Sequence, residues 1–253
     1  MRNPYTSKCP PRRAEAEQRG GEQHPCCSKK SIMDYVNRIE LQGTVISVRS
    51  DIRRTVVQLA LSTGTERMFA GRDNTTVSYY PEIIFYTPNL GKRLITGKSH
   101  VEIVAHAHTY YNNVTKRNVN EIVGDSIKDT ERFLARYIND IPEHGGREND
   151  RNEALFVGPV YRIRKRSEGV VYLTLAIPDR NRKDNINYCS IVCMGNNKDE
   201  RGGRLPFATI ASSLKEGEWV AVGAQLSTMR DAEKGFRQSI VCRDIERVQQ
   251  EEQ

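Results

Sequence analysis

The pattern Asn37-Arg38-Ile39-Glu40-Leu41-Gln42-Gly43-Thr44-Val45 returns, altered, as Asn152-Glu153-Ala154-Leu155-Phe156-Val157-Gly158-Pro159-Val160. Three further blocks recur in the same order: Val56–Leu61 with Val170–Leu175, Val101–Thr109 with Val220–Thr228, and Ile122–Ile127 with Ile240–Ile245. The step is 115 residues at Asn37 and 114 at Val56, a slip of one. Repetition of this kind constrains architecture rather than local structure. A chain of 253 residues then reads as two copies of one β-unit, each of roughly 100–120 residues and able to bury its own core.

Within each copy, short apolar or alternating runs rich in Val, Ile and Tyr are broken by Gly, Asn and Asp, the signature of strands joined by turns. The first copy gives strands over 38–48, 55–62, 81–86, 100–109 and 118–127; the second gives them over 153–164, 169–177, 187–194, 219–228 and 236–248. Before the fourth strand of the second copy, 207–214 places Ile210 and Leu214 on one helical face. Five strands with a helix after the third is the construction of an OB barrel. The fold expected is all-β: two tandem five-stranded OB barrels, over 34–128 and 152–248. Between them, Phe133, Leu134, Tyr137, Ile138 and Ile141 recur at helical spacing, and Pro142 with the polar run to Asp150 stops the pattern, so 129–151 reads as a linker helix and flexible connector. Residues 1–33, nearly empty of large aliphatics, read as a disordered extension; Met33 leads straight into the first strand and is a second place where translation could begin. Residues 249–253 form a short polar tail.

The formal charge of +7 and pI near 9.1 favour a polyanionic partner. No apolar run approaches the ~20 residues of a membrane helix, and no signal-peptide core is present, so a soluble, cytoplasmic protein is expected. Of the six cysteines, Cys189 and Cys193 fall on one face of a strand and read as core; Cys9, His24, Cys26 and Cys27 lack zinc-knuckle spacing. No metal and no cofactor is expected.

Basic residues recur at matching turns: Arg49, Arg53 and Arg54 after the first strand of copy one, and Arg162, Arg164, Lys165 and Arg166 in copy two. Arg180, Arg182 and Lys183 follow the next strand, and Lys116 with Arg117 occupy the last hairpin of copy one. Guanidinium and ammonium groups at such places suit phosphates, although they also keep any hairpin soluble. Stacking needs rings exposed beside that charge. Candidates are Phe69, Tyr79, Tyr80, Tyr86, Tyr110, Tyr111, Tyr161, Tyr172 and Tyr188, whereas Phe85, Phe156 and Trp219 read as core.

The opening Asn37-Arg38-Ile39-Glu40-Leu41-Gln42-Gly43 resembles the start of the bacterial single-stranded DNA-binding proteins. Tyr188-Cys189-Ser190-Ile191-Val192-Cys193-Met194-Gly195 and the stretch Leu214–Leu226 are similar to that family's third strand and its following Leu-x-Lys-Gly segment. The resemblance implies stacking roles for Tyr188 and Met194 in copy two and for Tyr80 and Tyr86 in copy one. It implies sequence-independent, non-catalytic binding of single-stranded DNA in replication, recombination, repair or plasmid transfer, by a bacterial, plasmid or phage protein. Because members usually assemble four barrels, it also implies a homodimer, with a monomer holding both grooves in line as the alternative. The chain departs from the family at Met194, where a ring is usual, and at its end, Gln249–Gln253, where the family carries an acidic tail with an apolar tip that recruits replication and repair enzymes. A second reading follows, an accessory primosome or conjugation protein acting mainly by protein docking. An enzyme is the third: His100, His106 and His108 alternate along one strand without a neighbouring carboxylate cluster, and no nucleophile motif or phosphate loop occurs. These histidines read as packed or exposed strand residues.

Overall fold

A computed structural model describes residues 34–62, 78–87, 90, 94, 96–97, 99–114, 117–130, 150–167, 169–179, 185–195, 197–198, 204–231 and 235–248. The chain's second half runs through β7 (Arg151–Ser167), β8 (Val170–Pro178), β9 (Ile186–Met194), the short pair β10 (Asn197–Lys198) and β11 (Arg204–Leu205), helix α1 (Phe207–Ser213), β12 (Trp219–Asp231) and β13 (Gly235–Arg247). Antiparallel pairing joins β7 to β8 and β12, β8 to β9, and β12 to β13. A parallel contact of β9 with β13, at Ile191–Ile240 and Val192–Val241, closes the ring. This closed five-stranded barrel, with its helix between third and fourth strands, has the OB arrangement.

The first half contains β1 (Val36–Ser50), β2 (Thr55–Ser62), β3 (Ser78–Tyr79), β4 (Glu82–Phe85), β5 (His100–Asn112) and β6 (Arg117–Asp129). Its pairings run through the same circuit: β1 with β2 and β5, β2 with β4, β5 with β6, and a parallel closure at Ile84–Val123. The strands expected from sequence are all present; β1, β5, β6, β7 and β12 run three to five residues longer, and β4 covers only Glu82–Phe85 of the expected 81–86. The proposed linker helix, the N-terminal extension and the polar tail lie outside the described residues.

Period-two alternation explains these strands. Along β8 every second side chain from Val171 to Ile177 is buried, and β7 buries Asn152, Ala154, Phe156, Gly158 and Val160 in turn. Phe207, Ala208, Ala211 and Leu214 are buried with Ile210 packed beside them, so α1 covers β8, β9 and β13. Cys189, Cys193 and Cys242 are free thiols in this core; burial pushes Cys189 up to about 12, and Cys242 is raised by its hydrogen bond with Cys193 and by burial. Cys189 and Cys242 therefore stay protonated.

The repeated motif opens with asparagine for a physical reason. Asn37 Nδ2 donates to the carbonyl of Ala107 and its Oδ1 accepts the Ala107 N–H, both at 2.8 Å. Asn152 makes the same two bonds with Leu226, at 2.8 and 2.9 Å. Each amide thus stands in for a strand backbone at a buried point where the ladder has no neighbour. Replacing either by Ala orphans a buried donor and acceptor, so Asn37→Ala and Asn152→Ala should each lower unfolding free energy by about 2–4 kcal/mol in urea melts. A shift below about 0.5 kcal/mol would contradict this role. The motif's glycine is equally constrained: a Cβ on Gly43 would sit 2.3 Å from a Leu61 methyl and 2.7 Å from the Ala60 carbonyl.

Irregularities match as well. Bulges interrupt β1–β2 between Val45 and Ser47 and β7–β8 between Val160 and Arg162, and again β5–β6 at Val104/Ala105 and β12–β13 at Gly223/Ala224. Gly97 and Gly217, with φ of 76° and 87°, donate to the carbonyls of Val45 and Val160.

The halves join edge to edge where β1 pairs antiparallel with β7. Asn37 faces Phe156, Leu41 faces Asn152, and Ile39 faces Ala154, a register that maps onto itself when the motifs are exchanged. Thr109 N–H donates to Asn187 Oδ1, and Thr228 Oγ1 accepts from Tyr80 N–H, so each half reaches across to the other's third-strand region. Of the histidines, His108 belongs to these contacts through Asp179. Although no carboxylate cluster stands near them in sequence, His100, His106 and His108 each meet an aspartate, Asp150 at 2.9 Å, Asp125 at 2.8 Å and Asp179 at 3.6 Å. No group of three metal-ligating side chains occurs among the described residues.

Candidate nucleic-acid interface

A cleft of about 660 Å³ opens on the outer face of β7, β8 and β9, with Thr109 and Asn120 of the first half at its border. β8 contributes Tyr172 and Thr174, β9 contributes Tyr188 and Ser190, and β7 contributes Tyr161, Arg162, Arg164 and Arg166. Alternation puts 172, 174, 188 and 190 on one face. The bulge does the rest, because Tyr161 is the unpaired residue between Val160 and Arg162, so two sequential side chains reach the same cleft. The Tyr161 and Tyr188 rings lie 4.6 Å apart at 51°, and Tyr161 is half exposed. Arg166 donates to the Tyr172 hydroxyl at 2.8 Å, with its guanidinium 5.9 Å from that ring's centre. Among the described residues, none of Arg162, Arg164 and Arg166 has an ion-pair partner. Three uncompensated cations and three tyrosines on a rigid sheet can hold an anionic polymer carrying flat, apolar groups.

The corresponding region of the first half is chemically different. Its cleft, about 530 Å³, is lined by Arg49, Ser50, Asp51, Arg54, Val56, Glu82, Ile84, Asn120, Glu121, Ile122 and Gln238. The parallel closures align Ile84 with Val192, so Glu82 holds the place of Ser190, while Arg49 holds that of Arg164. Arg49 meets Glu82 at 2.5 Å. Arg54 meets Asp51 at 3.4 Å, and Asp51 is kept below the usual carboxylate range first by the backbone N–H groups of Arg53 and Arg54. Tyr86 and Tyr110 hydroxyls both donate to Glu121, at 3.1 and 3.0 Å; burial first, then the charge of Glu121 and the hydrogen bond to it, raise both tyrosines. The cations here are already neutralised. Asn120 lines both clefts and so borders each of them.

Of the residues singled out from sequence, Arg162, Arg164, Arg166, Tyr172 and Tyr188 meet in the first cleft, and Arg49 and Arg54 in the second. Lys165 and Arg53 are exposed beside them without lining either. Met194 lies on the Tyr188 face of β9 but beyond the cleft. Tyr80 is half-buried, its backbone fixed on Thr228. Tyr111 and Arg117 are on β5 and β6, their side chains undescribed, and Lys116, Arg180, Arg182 and Lys183 lie outside the described residues. Thr109, Asn120, Thr174 and Ser190 carried no sequence signal. Tyr161 stood only among the ring candidates.

No family model and no curated protein matches the sequence. The wild-type single-stranded DNA-binding protein from Thermus aquaticus matches the structure with a TM-score of 0.57 at 16% identity, over 87% of this chain and 97% of that one. A deletion variant of the same protein gives 0.56 at 16% identity over the same shares. No helix among the described residues is long and apolar enough to cross a membrane. The chain therefore has a fold similar to that of a bacterial single-stranded DNA-binding protein, over nearly the whole of that protein's length.

Proposed function

We propose that this chain binds single-stranded DNA without catalysis and largely without regard to sequence, in a groove centred on Tyr161, Tyr172 and Tyr188 with Arg162, Arg164 and Arg166 along the backbone path. The observation that carries the reading is the charge state of that cleft: three arginines with no carboxylate partner beside three tyrosines on strand faces. Arginine supplies phosphate neutralisation, and rings accept any base because every base has a π-face. The similar fold of the Thermus aquaticus protein, described as a single-stranded DNA-binding protein, supports it.

In this proposal residues 34–128 and 152–248 are two OB barrels from one duplicated ancestor. The support is the paired recurrence of the asparagine bonds, the bulges, the positive-φ glycines and the parallel closures. A homodimer would bring four barrels together, and the setting is cytoplasmic DNA replication, recombination, repair or plasmid transfer. The test is a titration of a fluorescent dT oligonucleotide at two salt concentrations, with duplex DNA and RNA as competitors. Tight, salt-sensitive binding displaced by single-stranded DNA alone is expected. Absent binding would overturn the proposal and favour an accessory role in protein docking.

A further inference from the structure

The two clefts occupy corresponding places, yet acids stand in one where the other has none. Asp51, Glu82 and Glu121 take the positions of Arg166, Ser190 and Ser239. Two of these acids hold arginines of their own. Glu121 does not. It is fixed instead by two tyrosine hydroxyls, Tyr86 on Oε2 and Tyr110 on Oε1, one to each oxygen. An ionised carboxylate accepts only, and each oxygen has a further lone pair after one such bond. What remains is a two-oxygen acceptor of fixed orientation, beside an exposed ring and lining an open cleft.

We infer that this cleft reads a base edge, with Glu121 as its specificity-determining residue and guanine as the base. The inference rests on the single-stranded DNA reading above. Guanine alone among the DNA bases presents two adjacent donors, N1–H and N2–H, to match two carboxylate oxygens. Its neighbouring O6 needs a donor, and the Asn120 amide and the Arg54 guanidinium line the same cleft. Thymine turns two carbonyl oxygens toward the carboxylate on either side of N3–H and is repelled. Unstacked bases of single strands expose these edges for such contacts. A cationic ligand suits the place less well, since Arg49 and Arg54 share it. The first half thus distinguishes bases while the second half holds the strand, and Asn120 borders both clefts.

The test uses the full chain and a dT decamer carrying dT, dC, deoxyinosine or dG at one central position. About tenfold tighter binding of the dG oligonucleotide than of all-dT is expected, the size of one good bidentate pair. Deoxyinosine, lacking the N2 amino group, should fall between them. Glu121→Gln and Glu121→Ser should bring the dG and dT values together, with unchanged thermal melting showing that the barrel is intact. Equal affinities for all four oligonucleotides, or a dG preference that survives both substitutions, would overturn the assignment of Glu121 while leaving single-strand binding in place. Failure of every oligonucleotide to bind would overturn both readings.

Discussion

Replacing Tyr161 and Tyr188 together by Ala should weaken binding of a dT oligonucleotide at least about fivefold, with no comparable change in melting temperature. A stacked base contributes about 1–3 kcal/mol at each aromatic platform, which is about fivefold at the lower end and above a hundredfold at the upper. The rings lie 4.6 Å apart, so they form one platform, and the single substitutions should not add to the double. Stability should hold because Tyr161 is the unpaired residue of a bulge, half exposed, and Tyr188 is part-exposed on the outer face of β9. Anisotropy titrations of the two single variants and the double variant measure this. Affinity within twofold of the parent in the double variant would remove the tyrosines from the binding surface.

The circuit of strands was legible because burial on one face writes itself as alternation, and because the same alternation occurs twice. The motif's asparagines were visible as a pattern but not as a function. Their partners, Ala107 and Leu226, lie 70 and 74 residues away, and no local rule connects them. Tyr161 shows a different limit. Regular alternation sends residues 161 and 162 to opposite faces, and only the bulge, a feature of pairing rather than of composition, turns both into the cleft. The matched arginine clusters were equally visible and looked equivalent. They differ because Glu82, distant in sequence, sits opposite Arg49 while Ser190 sits opposite Arg164. The aspartates that meet the three histidines were hidden for the same reason: Asp125, Asp150 and Asp179 come from three separate segments.

That difference between the clusters makes the second large effect. An arginine already paired with a carboxylate releases little counterion on meeting a phosphate, whereas an unpaired one contributes about 0.7 to the log–log salt slope on single strands. Arg162→Gln, Arg164→Gln and Arg166→Gln together should therefore flatten the slope by about 2, with a large loss of affinity at low salt. Arg49→Gln with Arg54→Gln should change it little, because Glu82 and Asp51 already hold those guanidiniums. The most direct measurement is the salt dependence of dT oligonucleotide binding for the parent and these two variants. The account predicts a slope that collapses in the β7 triple variant and persists in the Arg49/Arg54 variant. A slope unchanged in the triple variant, or lost instead in the Arg49/Arg54 variant, would contradict the placement of the DNA backbone along the second-half cleft.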